Sequence, residues 1–176
     1  MKMPSITRSR KAAMFISDRS PAEITAEMLG RARSLKEEKL ESYSLLEKDT
    51  LRNDIQTLMK EMQAQTKADI DFINGLAMSL PSTESEGGPM HFHVADSELF
   101  DHTFASVGAL SASSAPADVL MALIVDSDKF MRMFDLVCHE YPGTLLEAKF
   151  HELYLREHEV KEKLEARYDH IHARDY

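Results

Sequence analysis

Apolar residues recur at alternating steps of three and four along four separate stretches of this 176-residue chain. That spacing specifies amphipathic helices that bury one stripe each against a shared core. In the first stretch Leu29, Ala32, Lys36, Leu40 and Tyr43 form the stripe, widened by Met28, Leu35 and Leu46. The second carries Leu51, Ile55, Leu58, Met62, Gln65, Asp69, Phe72 and Leu76, and the third Leu120, Leu123, Ser127, Phe130, Phe134, Val137 and Tyr141. The fourth runs through Leu146, Phe150, Leu153, Glu157, Val160, Leu164 and Ile171. Polar or charged residues thus stand mid-stripe on all four.

Local signals bound these stretches. Ser20-Pro21-Ala22-Glu23 places a capping serine, a first-turn proline and a glutamate in helix-start order, and Thr144-Leu145-Leu146-Glu147 repeats the device. Leu80-Pro81 and Pro142-Gly143 are breakers, and Ser114 is a candidate cap. The signals predict helices over 21–47, 50–79, 116–141 and 144–172. They divide the chain into a basic arm (1–19) and a bundle (20–176) of two hairpins, 20–80 and 115–173. Their crossover, 81–114, runs the length of the bundle, and Asp96 to Leu110 reads as a short extra helix within it. With six glycines, six prolines and no tryptophan, the fold class is all-α.

A formal charge of −9 argues against general nucleic-acid binding, because phosphate contacts need a basic face. Residues 1–19 run against that balance, with Lys2, Arg8, Arg10, Lys11 and Arg19 against Asp18. Such an arm either docks on an acidic protein partner or membrane surface, or stays a solvated terminus. Cys138 is the single cysteine, so neither an internal disulfide nor a cysteine metal cluster can form. No apolar run reaches the ~18–20 residues of a membrane span, and the start lacks the apolar core of a secretory signal. The Arg-rich start also has the composition of an organelle transit peptide, but the cytoplasm is the expected location.

The two halves repeat one another. Lys36 and Ser127, like Tyr43 and Phe134, lie 91 positions apart. Leu58 and Leu153, Met62 and Glu157, and Gln65 and Val160 lie 95 apart. Two matched hairpins joined by a long crossover are one way to build a four-helix bundle.

With these residues the chain resembles the rubrerythrin-like branch of the ferritin-like superfamily. Leu120 to Tyr168 is similar to the family's second helix pair, with Phe134 at an aromatic position, followed by Phe150-His151-Glu152-Leu153 and Lys161-Glu162-Lys163-Leu164-Glu165. Leu29 to Ile73 is similar to the first, through Tyr43, Leu51-Arg52 and Leu58. The resemblance implies an antiparallel four-helix bundle and, in the family, a di-iron centre. That centre takes a glutamate from each of two helices and a Glu-x-x-His pair from each of the others. Here Lys36 and Ser127 stand at the two glutamate positions, Met62 and Gln65 at one pair, and Glu157 and Val160 at the other. One ligand of six survives. An alternative iron set one step away is Glu37, Glu61, Asp126, Asp128, Glu157 and His158. A one-residue step turns a side chain by about 100°, which should carry the new members out of the core.

Lys36 on an apolar stripe is costly unless paired, and Glu157 has the converse difficulty. If the family layout holds, the two meet as a buried ion pair, with Gln65 and Ser127 as polar neighbours. Otherwise Lys36 reaches to the surface and Glu157 sits at the stripe edge. His91, His93 and His102 have imidazoles suited to metals but no fixed carboxylate, and read as exposed. His151, His158, His170 and His172 read as solvated helix residues. Met59, Met62, Met131 and Met133 read as flexible core filler, and Cys138 as a small buried hydrophobe. No nucleophile elbow, phosphate-binding glycine loop or zinc pattern occurs.

The resulting expectation is a family member without a cofactor, acting as a non-catalytic binding or assembly module and forming homodimers. The alternative is a non-haem iron oxidoreductase with an altered di-iron site, handling peroxide, oxygen or iron. A third reading is an unrelated helical adaptor.

Overall fold

The computed structural model describes residues 21–80 and 110–173, which form four helices and no strand. These are α1 (Pro21–Asp49), α2 (Asn53–Met78), α3 (Pro116–Glu140) and α4 (Leu145–His172). The basic arm, the Ser20 cap, most of the crossover with its expected short helix, and His91, His93 and His102 lie outside the described residues.

Local chemistry explains the ends. Thr144 accepts a hydrogen bond from the Glu147 amide at 3.2 Å, as the start signal predicts. The Glu147 carboxylate reaches back past the cap to the Gly143 amide. Gly143 has φ +75°, a conformation that a side chain disfavours and glycine adopts freely. Ser114 does not cap α3. Its hydroxyl accepts from the Ser111 amide at 3.0 Å, Ala115 holds the cap position, and Pro116 opens the helix.

The α1–α2 junction also differs from expectation. Helix α1 continues to Asp49, and α2 begins only at Asn53. The Thr50 hydroxyl takes the Arg52 amide at 3.3 Å, and the Gln56 side chain donates to the Thr50 carbonyl at 2.9 Å. These bonds hold a turn where the stripe placed helix. Leu51, assigned to the α2 stripe, is 94% exposed in that turn.

Helix α1 packs along α2, and α3 along α4. Arg33 meets Asn74, Lys36 meets Asp69, and Glu47 meets Lys60, so numbering rises along one helix as it falls along the other. Asp128–Lys161 and Phe134–Phe150 follow the same rule in the second pair. The two hairpins then meet α1 against α4 and α2 against α3.

The core has two apolar parts. One gathers Ile24, Met28, Leu29, Leu35, Ile73, Leu76, Phe130, Phe134, Phe150 and Leu153 with their neighbours. The other gathers Tyr43, Leu46, Ile55, Leu58, Met59, Met62, Leu120, Leu123, Val160 and Leu164. Burying one such aliphatic or aromatic side chain contributes roughly 1.5–3 kcal/mol, so both parts drive folding. Every helix changes from one part to the other at its polar residues: 36–39 on α1, 65–69 on α2, 126–127 on α3 and 156–157 on α4.

Candidate functional site

Between the apolar parts lies a charged layer. Lys36, Lys39, Asp69, Asp126, Ser127 and Glu157 are all buried there, none more than 5% exposed. The Lys36 ammonium donates to Asp69 Oδ2 at 3.0 Å and to Glu157 Oε2. Asp69 Oδ1 accepts two bonds from the Arg156 guanidinium, at 3.0 and 3.2 Å, and one from Gln65 Nε2 at 3.1 Å. The same guanidinium lies 4.4 Å from the Phe72 ring centroid, which shields its partly buried charge.

Lys39, one turn after Lys36, approaches Asp126 Oδ2 at 3.4 Å, and Lys129 stands 3.8 Å from Oδ1. Among the described residues neither Asp126 oxygen accepts a hydrogen bond, so these contacts are charge pairing without good alignment. The Lys36 and Lys39 ammonium groups lie 4.6 and 4.7 Å from the centroid of one ring, that of Phe130. Lys36, Lys39 and Arg156 balance Asp69, Asp126 and Glu157. That balance offsets part of the cost of taking these charges out of water.

The lysines titrate differently. Burial opposes the charge on Lys36, but Glu157 and Asp69 overcome it and hold the ammonium above its ordinary range. Burial wins at Lys39, lowering its ammonium to about 8 against the attraction of Asp126 and Glu157, with Lys36 repelling it. The Tyr43 phenol is pushed well up, first by burial and then by Glu157, Asp126 and Asp69.

Lys36 and Glu157 form a buried ion pair, and neither reaches the surface. Of its expected neighbours, Ser127 is buried and Gln65 binds Asp69. Met62 and Val160 belong to an apolar part instead. Asp126 corrects the one-step rotation rule, since it is fully buried beside Ser127. Helix α3 contacts both α2 and α4, and its buried arc is wide enough for consecutive residues such as Val119–Leu120 and Asp126–Ser127. The rest of the alternative iron set is dispersed among other partners. Glu37 pairs with Arg33 at 3.3 Å, Glu61 with Arg167 at 2.5 Å, and Asp128 with Arg132 and Lys161 at 2.7 and 2.8 Å. His158 sits 3.8 Å from Glu162. Among the described residues no cluster of three His, Cys, Asp or Glu side chains is arranged to hold a metal, and Asp126 serves Lys39 and Lys129. We assign no metal ligand.

Lys39, Arg156 and the pairing role of Asp69 escaped the sequence reading. Two signals pointed to them. Lys39 follows Lys36 by three and so shares its face, and Asp69 was already a stripe member. Arg156 gave no such signal.

Other candidates fall outside the layer. His151, His170 and His172 are exposed. Cys138 is half-buried and its thiol lies 3.5 Å from the Glu147 carbonyl. Burial, with Asp135 and Glu147, raises this thiol to about 11, which keeps it a poor nucleophile at neutral pH. A cleft of about 550 Å³ is lined by residues including Ile55, Leu58, Leu120, Arg167 and Ile171, and no member of the charged layer lines it. No helix among the described residues is long and apolar enough to cross a membrane. Comparison with protein families, curated proteins and solved structures finds no match for this chain.

Proposed function

We propose that this chain is an antiparallel, ferritin-like four-helix bundle in which ion pairs have taken the place of a metal centre, and that it acts as a non-catalytic binding or assembly module. One observation carries this reading: the Lys36 ammonium lies between the carboxylates of Asp69 and Glu157, mid-stripe on three helices. A fixed monocation there neutralises the carboxylates that would otherwise attract a dication, and it has no labile position at which oxygen or peroxide could be activated. The opposed numbering of paired helices and the 91- and 95-residue offsets support the ferritin-like topology. Assembly is proposed to be homodimeric, through helix faces, with the basic arm recruiting an acidic protein partner.

Elemental analysis of protein purified from iron-replete cells tests the reading. Substoichiometric iron and manganese are expected. Stoichiometric metal that is lost on Glu157→Gln would replace this reading with the oxidoreductase one. Sedimentation velocity tests the dimer.

A further inference from the structure

We propose that the outer face of α3 is the surface through which two copies of this chain join, the two helices lying antiparallel about a two-fold axis beside Asp128 and Lys129. It is the face of the homodimer proposed above and depends on that reading. Asp118, Met121, Val125, Arg132, Leu136 and His139 are all exposed on α3. At 100° per residue these six fall within an arc of about 60°, on the side opposite the buried Leu123, Ser127, Phe130 and Phe134 and away from the seam between the hairpins. Among the described residues no other helix carries an apolar stripe outward. Helix α1 exposes Leu45 among Glu38, Glu41 and Lys48, α4 exposes Leu155 among Glu152 and Glu159, and α2 exposes Met78 only at its last residue.

The pattern of this face selects a second copy as its occupant. Its members are separated by three, four, seven, four and three residues, so the spacing reads the same in both directions. Turning a second α3 end for end about the midpoint of 128 and 129 sets Met121 opposite Leu136, Val125 opposite Arg132 and Asp118 opposite His139, each contact occurring twice. A two-fold contact requires a surface that complements itself, and here the match extends to polar groups. The Asp118 carboxylate meets an imidazole that can donate to it. The Arg132 methylenes lie along Val125, with the guanidinium in reach of Asp128 on the other copy. Arg132 already bonds Asp128 of its own helix at 2.7 Å, so its charge is compensated before and after docking. A parallel pairing in register would instead set Asp118 against Asp118 and Arg132 against Arg132.

Cysteine pairing in the full chain tests the register. With Cys138→Ser removing the natural thiol, Met121→Cys and Leu136→Cys combined should give a covalent dimer on mild oxidation, whereas neither alone should. In the proposed register the two copies of position 121 stand roughly 22 Å apart along the helices, beyond disulfide reach, and so do the two of position 136. Val125→Arg sets arginine against Arg132 twice per dimer and should raise the dissociation constant about tenfold or more by sedimentation velocity. Val125→Glu sets a carboxylate there and should leave that constant equal or lower. A natural chain that sediments as a dimer while the double variant gives no crosslink, or Val125 variants that behave alike, would overturn this face and leave the homodimer standing. A natural chain that stays monomeric would overturn both. If the Met121→Cys thiol were then also shielded from a maleimide, another segment of the same chain would be the occupant.

Discussion

The apolar parts of the core and the charged layer between them are equally buried, yet they hold the bundle by different means. In the part around Phe134, the Phe130 and Phe150 rings each stand 5.7 Å from the Phe134 ring, and contact is non-directional. Many arrangements of similar volume would serve. In the charged layer each group depends on particular partners. Asp69 takes its bonds from three particular side chains, Lys36, Arg156 and Gln65. The apolar parts therefore supply the drive to fold, while the layer sets how the hairpins are registered. A shift of one helical turn between α1 and α4 would still bury leucine against leucine, but would break the Lys36–Glu157 and Asp69–Arg156 pairs that join the hairpins.

Three tests can break this contrast. Phe134→Ala should cost the most, about 3–5 kcal/mol by urea denaturation, and no second truncation should restore it. Adding Phe150→Ala should lower stability further; recovery would mean that this part of the core behaves like the layer. Lys36→Met should cost a comparable ~3–5 kcal/mol alone, because Glu157 is left buried with its charge, but Lys36→Met with Glu157→Leu should regain most of it. Strictly additive losses in that cycle would show the pair to be uncoupled. The smallest effect is expected at Arg167→Ala. Its pairing with Glu61 also joins α2 to α4, but both side chains are about half exposed, so the change should stay within about 1 kcal/mol. A loss as large as that at Lys36 would mean that charge itself, rather than its burial, holds the seam.

Most of the helical architecture was legible because periodicity and caps act locally. The α3 stripe of Leu120, Leu123, Ser127, Phe130, Phe134, Val137 and Tyr141 is buried throughout, and the Thr144–Glu147 cap forms as its spacing requires. The errors came where a competing local bond or a neighbouring helix intervened. Thr50 and Gln56 bond a turn around Leu51, and the two neighbours of α3 bury Asp126 as well as Ser127.

By itself, the sequence determined four amphipathic helices in two matched hairpins, a polar interruption at the middle of each stripe, and the need for Lys36 and Glu157 to find partners. These follow from spacing along one chain and from the cost of burying charge. Only the tertiary structure decided which partners met. Asp69 takes Lys36, Arg156 and Gln65, Asp126 pairs with Lys39, and Phe130 lies beside both ammonium groups. The reason is geometric: helical spacing specifies the face a side chain occupies, whereas the depth and register at which two faces meet depend on how all four helices pack.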